Sequence, residues 1–270
     1  MKLFAYWRSV YEAWIDYPKR EGAVIAGQYR ILRFLGIGSY GLTYVCVDAD
    51  SGREVVLKQA KPSKRAAGRQ ALRREADVLT RLRHPSIPQW LASFEYNNGA
   101  YMATELVRGQ TVEDFIFERG VVFSELETLR FVRRLVDIVA YVHEQGFVHS
   151  DIRIPNVILN DDRIHLIDFG LACRIGEPAL RKTAFDSSAA APNKSAEPAD
   201  DLYAIGHFML FMLYSGFEPR SSEAVRDASW ENELTLSPAT RRMLRKLLRI
   251  DSPYSNTRQF ARDVDLSLNG

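Results

Sequence analysis

Cysteine is scarce in this chain: Cys46 and Cys173 are the only two in 270 residues, far apart and without Cys or His neighbours at metal-ligand spacing. That pattern excludes a disulfide-stapled scaffold and a zinc module, and makes a reducing cytoplasm the expected compartment. An excess of either charge is also lacking. Lys and Arg total 36 against 34 Asp and Glu, so no polyelectrolyte character points to nucleic acid, and no nucleic-acid partner is expected. No apolar run approaches the length that crosses a bilayer, and the N-terminus has neither the apolar core nor the cleavage site of a signal peptide. Internal repeats are missing, and low complexity is confined to residues 187–191. A soluble protein with no domain beyond its main one is the expectation.

What the chain does have is apolar content, 46% of its residues, enough for one large core or two modest lobes. Leu3, Phe4, Trp7, Val10, Tyr11, Trp14 and Ile15 fall on one side of a helix, with Arg8, Glu12 and Asp16 elsewhere. Residues 1–21 therefore read as an amphipathic helical extension. Docking on the lobe that follows is favoured over peripheral membrane or partner contact through residues 3–15, because its mixed charges suit anionic lipid poorly. From Tyr29 to Ala60 the pattern predicts three antiparallel strands, then a helix from Ser63 to Arg83, then strands near Trp90 to Tyr96 and Tyr101 to Leu106. Past Gly109 the pattern turns helical. The clearest case is Ser124 to Gln145, opened by the capping box of Ser124 and Glu127 and stopped by Gly146. Further helices are predicted at Ala199 to Tyr214, Pro238 to Ile250 and Asn256 to Leu268.

Inside that helical half lies His149-Ser150-Asp151-Ile152-Arg153-Ile154-Pro155-Asn156, followed by Asp168-Phe169-Gly170. Metal-assisted phosphoryl transfer needs a group beside the attacking hydroxyl and oxygen ligands for the cations that neutralise a triphosphate. Asp151 can be the first, and Asn156 with Asp168 the second. Each motif alone is short, but in order, and each after an apolar run, they reinforce one another.

This spacing resembles the protein kinase family, whose catalytic loop usually reads His-Arg-Asp-x-x-x-x-Asn and whose metal-binding turn reads Asp-Phe-Gly. The resemblance covers about residues 22–268. It implies an α+β, bilobal protein-kinase-like fold, with a five-stranded antiparallel N-lobe over about 22–107 and a mainly helical C-lobe over about 108–268. ATP is then expected between the lobes, with magnesium, or manganese in its place, on Asn156 and Asp168. Gly36-Ile37-Gly38-Ser39-Tyr40-Gly41 lies between two predicted strands, the context of the kinase glycine-rich loop, so Gly36, Ile37, Gly38, Ser39, Gly41 and Thr43 are expected against the nucleotide. Val56 and Lys58 share a face of one strand; Val56 would roof the adenine while Lys58 reaches the phosphates. A lone strand lysine is usually solvated, but Glu75 on the next helix points the same way as Leu79, and the resemblance implies a Lys58–Glu75 ion pair. It also makes Tyr101 to Gly109 a hinge, with Thr104 as gatekeeper, the backbones of Glu105 and Val107 on the adenine edge, and Ile158 as apolar floor. Asp151 would take the hydroxyl proton, Arg153 would supply a cation near the γ-phosphate, and Asp201 would anchor the catalytic loop.

Several positions depart from the family pattern. Ser150 replaces the arginine that meets an activation-segment phosphate in many kinases, and a hydroxyl cannot make that charge-assisted contact. Phosphorylation at Thr183, Ser187 or Ser188 is therefore not expected to be obligatory. Arg153 stands where Ser/Thr kinases mostly carry Lys, although Pro155 is typical of that class. Ala191-Pro192-Asn193 replaces the usual Ala-Pro-Glu, its arginine partner is missing around Asp251 to Asn256, and residues 216–236 are short, so a reduced C-lobe is expected. Lys64, Arg65, Arg69, Arg73, Arg74, Arg81 and Arg83 form a basic run that reads as a solvated face. Together these features predict a bacterial-type serine/threonine protein kinase acting on protein substrates, with autophosphorylation. The alternatives are a small-molecule phosphotransferase of related fold and an ATP-binding pseudokinase scaffold.

Overall fold

The computed structural model describes residues 15–161, 163–178, 195–218 and 229–269. They fall into two compact units, one of residues up to 83 with 88–107, the other of 84–87 with the residues from 108 onward. In the first, an antiparallel sheet runs in the order β1 (Val24–Ile25), β2 (Tyr29–Ile37), β3 (Gly41–Asp48), β4 (Glu54–Ala60), β6 (Gly99–Glu105) and β5 (Trp90–Tyr96). Alternation sends Ile31, Leu42, Tyr44, Cys46, Val55 and Leu57 into one apolar core. The rings of Tyr29, Phe94 and Tyr101 stack across it at 5.2 and 5.3 Å. The opposite alternation leaves Val56 and Lys58 half-buried on the other face of β4.

The sequence pattern predicts five strands here and the sheet has six. β1 pairs Val24 with Arg30 and Ile25 with Tyr29 around a three-residue turn in which Ala26 and Gly27 both adopt positive φ, 53° and 72°. Two residues are too short to show alternation, and alanine in a left-handed turn gives no Asn-Gly or Asp-Gly signal. The helix predicted from Ser63 to Arg83 is also shorter. A 3-10 turn, Pro62–Lys64, precedes α1 (Arg65–Leu79), and the two are broken by Arg65 at φ 44°. At the other end the Thr80 hydroxyl donates to Asp77 O at 3.0 Å, a local bond that competes with further helix. Gly68, Leu72, Glu75, Ala76, Val78 and Leu79 form the buried face of α1.

The second unit is mainly helical: α2 (Val112–Phe117), α3 (Glu125–Glu144), α4 (Pro198–Leu213), α5 (Trp230–Glu233), α6 (Pro238–Leu247) and α7 (Thr257–Asn269). The capping box of α3 is present, with Ser124 Oγ accepting from the Glu127 N–H at 3.2 Å and Glu127 Oε2 accepting from the Ser124 N–H at 2.8 Å. The Ser124 hydroxyl, which donates to Glu127 Oε2 at 2.6 Å, and the Ser124 N–H hold the Glu127 carboxyl below its usual range. α3 and α4 pack together through Phe131 and Phe208, whose rings lie 5.8 Å apart. Gly206 lets α4 close on α6, since a Cβ there would stand 2.9 Å from Leu247 Cβ. The short strands β7 (Gln110–Thr111), β9 (Val157–Asn160) and β10 (Arg163–Leu166) form one ladder, and β8 (Phe147–Val148) pairs with β11 (Cys173–Arg174). Among the described residues no helix is long and apolar enough to cross a membrane. Residues 1–14 of the amphipathic extension, the acceptors Thr183, Ser187 and Ser188, and Ala191-Pro192-Asn193 lie outside the described residues.

Candidate active site

The catalytic-loop motif sits between β8 and the 3-10 turn Ile154–Asn156, and its geometry is set by Asp201 in the first turn of α4. Asp201 is fully buried. Its Oδ2 accepts from the His149 N–H and from His143 Nε2, both at 2.9 Å, and its Oδ1 accepts from the Ser150 N–H at 2.8 Å. Ser150 is thereby held at φ 63°, a left-handed conformation that costs a non-glycine residue about 1–3 kcal/mol. His149 is buried as well. Its Nδ1 accepts from the Asp151 N–H at 3.2 Å, so Nε2 carries the proton and donates to Ile167 O at 3.2 Å. Burial pushes its pKa below the ordinary histidine value against the opposing pull of Asp201, and the ring is neutral. The Phe169 ring meets it edge-on at 4.6 Å.

On this support Asp151 is hydrogen-bonded to Asn156 and ion-paired with Arg153. Asn156 Nδ2 donates to Asp151 O and to Asp151 Oδ2, each at 2.9 Å, and Arg153 Nε stands 3.3 Å from Asp151 Oδ1. Half of the Arg153 side chain is exposed, 52%, against 9% for that of Asp151. With both Nδ2 protons engaged, Oδ1 is the atom of the Asn156 amide able to ligate a cation. Asp168 is the second oxygen donor in this unit and is also at positive φ, 62°. One carboxylate and one amide suit a magnesium ion that takes most of its ligands from phosphate and water. Among the described residues no group of three or more His, Cys, Asp or Glu could hold a metal without such help. The donor set fits the cation.

In the sheet unit, Lys58 on β4 is ion-paired with Glu75 on α1, whose side chain is 6% exposed. Thr43 is the cross-strand neighbour of Lys58, and Thr104 that of Val56. The three glycines of the turn have different reasons to be glycine. A Cβ on Gly41 would stand 3.1 Å from Gln59 O, so close packing of β3 on β4 favours its absence. Gly36 would meet nothing within 4 Å and Gly38 only Gly41 O at 3.6 Å; neither is at positive φ. The fold does not require glycine at these two positions, while a ligand approaching the backbone would. Ile37 is 55% exposed at the tip of β2, and Ser39 follows in the turn. In the expected hinge the Glu105 N–H donates to Gln89 O at 2.9 Å. Val107 follows, half-buried, and Ile158 is buried on β9 of the other unit.

A protein kinase domain model matches residues 29–260. The chain belongs to the protein kinase family. The probable serine/threonine-protein kinase YbdM of Bacillus subtilis is 32% identical over 94% of this chain and 94% of its own length. Serine/threonine-protein kinase B of Synechocystis is 28% identical over 83% of this chain, which spans only 43% of that protein. The PknI kinase domain of Mycobacterium tuberculosis superposes with a TM-score of 0.68 at 23% identity, over 94% of this kinase and all of that chain, a likeness of fold. This kinase has the family's antiparallel sheet lobe and helical lobe, and the family uses ATP and a divalent metal.

One anchor of the kinase was not legible. Arg249, just after α6, donates to Asp200 Oδ1 at 2.7 Å and Ala199 O at 2.9 Å, and its guanidinium lies 5.0 Å from the Tyr203 ring centre. No arginine stands between Asp251 and Asn256, as expected, and Arg249 serves a different partner, Asp200 at the start of α4. Of the basic run, Arg65, Arg73, Arg74, Arg81 and Arg83 are exposed, and Arg69 and Arg73 form surface ion pairs with Glu95 on β5.

Proposed function

We propose that this serine/threonine protein kinase transfers the γ-phosphoryl group of ATP to Ser or Thr hydroxyls of proteins, itself included, with magnesium as its metal and manganese as a substitute. The observation that carries the proposal is the group of Asp151, hydrogen-bonded to Asn156 and ion-paired with Arg153, in the second unit. Asp151 accepts the substrate's hydroxyl proton as that oxygen bonds to the γ-phosphorus and the bond to the departing ADP oxygen breaks. Asn156 holds the Asp151 carboxylate through Nδ2, and with Asp168 offers oxygen to the cation. Magnesium, when bound, neutralises charge that spreads over the phosphate oxygens. Arg153 places a cation beside the transferring group. Lys58, fixed by Glu75, orients the α- and β-phosphates. Gly36, Ile37, Gly38, Ser39, Gly41 and Thr43 face the nucleotide, and Val56, Thr104, Glu105, Val107 and Ile158 receive its base. The kinase domain extends over about residues 22–268, and two buried free cysteines suit a cytoplasmic enzyme.

Activity is further expected without a phosphate on the activation segment. Ser150 Oγ faces Cys173 Sγ at 4.0 Å rather than a cation site, and the entry to the segment is held by backbone pairing of Val148 with Cys173 and Phe147 with Arg174. Val148, Cys173 and Ala196 pack as a small apolar cluster beside it.

The test is incubation of the purified enzyme with labelled ATP, magnesium and a generic protein substrate, beside Lys58→Met and Asp168→Asn. Phosphoserine or phosphothreonine in wild type is expected, with about 100-fold or greater loss in each variant. ATP binding without protein phosphorylation would favour the small-molecule or scaffold alternatives. Phosphatase treatment before the assay should leave most activity; its loss would remove the claim of phosphate independence.

A further inference from the structure

The start of α1 has no cap of its own. Lys61 precedes the 3-10 turn and Lys64 precedes α1, and neither makes a side-chain cap bond. No acidic residue occupies the first turn of either, while Lys64 and Arg65 place positive charge where the helix dipole is already positive. The chain is also broken there, at Arg65 with φ 44°. Such an end calls for an external acceptor.

Asp16 provides one from 47 residues away. It is 7% exposed; its Oδ1 accepts from the Ser63 N–H at 2.9 Å and its Oδ2 from the Ser63 hydroxyl at 2.5 Å. The same segment is fastened again at Lys19, whose N–H donates to the Tyr44 hydroxyl at 3.2 Å. What Asp16 fixes is joined to the glycine-rich turn. The Lys61 N–H, two residues before Ser63, donates to Tyr40 O at 2.8 Å. Gly68 lies so close that a Cβ there would stand 3.3 Å from both Lys61 O and Tyr40 O. Further along the same helix Glu75 reaches Lys58.

We propose that Asp16 is a positioning residue for phosphoryl transfer: it holds the 3-10 turn that leads into α1, and by fixing Ser63 it sets where Glu75 and the glycine-rich turn stand. Residues ahead of the first strand thus take part in aligning the nucleotide phosphates. The inference rests on the roles proposed for Lys58, Glu75 and the glycine-rich turn.

The experiment is steady-state kinetics with ATP as the varied substrate for wild type, Asp16→Ala, Asp16→Asn, Ser63→Ala, the Asp16→Ala/Ser63→Ala double variant and Lys58→Met, with urea midpoints alongside. Asp16→Ala should lower kcat/KM for ATP by roughly three- to tenfold, the scale set by loss of a helix cap. Asp16→Asn, which keeps one acceptor for the Ser63 N–H, should recover part of it, and the double variant should be no worse than Asp16→Ala. Should Asp16→Ala be too unstable to assay, Asp16→Asn against Ser63→Ala gives the same reading. A lowered urea midpoint with kcat/KM for ATP unchanged would overturn the proposal, as would additive losses in the double variant. Inactive wild type, or full activity in Lys58→Met, would instead reject the functional reading on which it rests.

Discussion

The two units hold their functional residues in different ways. In the helical unit each chemical group is over-determined: Asp201 accepts three donors, His149 is bonded at both ring nitrogens, and both protons of the Asn156 amide are taken. In the sheet unit the corresponding residues rest on a different kind of support: the Lys58–Glu75 ion pair, the bonds of Asp16 to Ser63, and a turn with open space at Gly36. The half assigned the proton transfer is fixed by hydrogen bonds around buried groups, whereas the half assigned the nucleotide leaves room at Gly36 for a ligand. Preorganised donors matter most where charge develops, and adjustable elements are where regulation can act at small energetic cost.

The sharpest way to break this contrast is Asp201→Ala. Removing a buried acceptor of three hydrogen bonds should cost about 3–5 kcal/mol, against about 1–3 kcal/mol for Lys58→Met, which takes one cation from the buried Glu75 carboxyl. Urea denaturation followed by circular dichroism measures both, and equal losses would erase the distinction.

A finer test separates the glycines. Gly41→Ala should lower stability by about 1 kcal/mol, because the new Cβ presses on Gln59 O. Gly36→Ala, placed in open space, should leave stability within about 0.5 kcal/mol yet raise KM for ATP. If Gly36→Ala binds nucleotide as wild type does, the turn loses its assigned role.

A separate test concerns pH. Burial lowers the pKa of His149, and likewise of His84 and His207, below the ordinary value of 6.5. A histidine kept neutral in the fold gives its full stability above the unfolded value and loses it as pH falls through that value toward the folded one. In that window the unfolded chain binds more protons, and each group contributes up to about 1.4 kcal/mol per pH unit. The urea midpoint should thus fall between pH 7.5 and 5.5, and a flat midpoint would contradict it.

Much of the helical unit was legible because its signals are local. The Asp151 to Asn156 spacing, Asp168-Phe169-Gly170 and the Ser124–Glu127 box each lie within a few residues. Strand and helix periods gave the faces of Lys58 and Glu75 separately, and the family resemblance implied that the two pair. What escaped was either too short or too distant. β1, β8 and β11 are two residues long and carry no measurable period. The 3-10 turn before α1 arises from Pro62 and a strained Arg65, not from hydrophobic pattern. Asp16 meets Ser63 across 47 residues, and Arg249 meets Asp200 across 49. Such pairs are made by the fold, and no window along the chain contains both partners.

The scarcity of cysteine has a practical side. Burial raises the Cys46 thiol to about 12, and Cys173 is buried too, so neither native sulfur offers a ready thiolate to maleimides at neutral pH. A single cysteine introduced on an exposed position, such as Thr80 or Arg81 just past α1, would then carry a fluorophore alone. Movement of that helix on nucleotide addition could be followed by its emission without first rebuilding the protein as a cysteine-free variant.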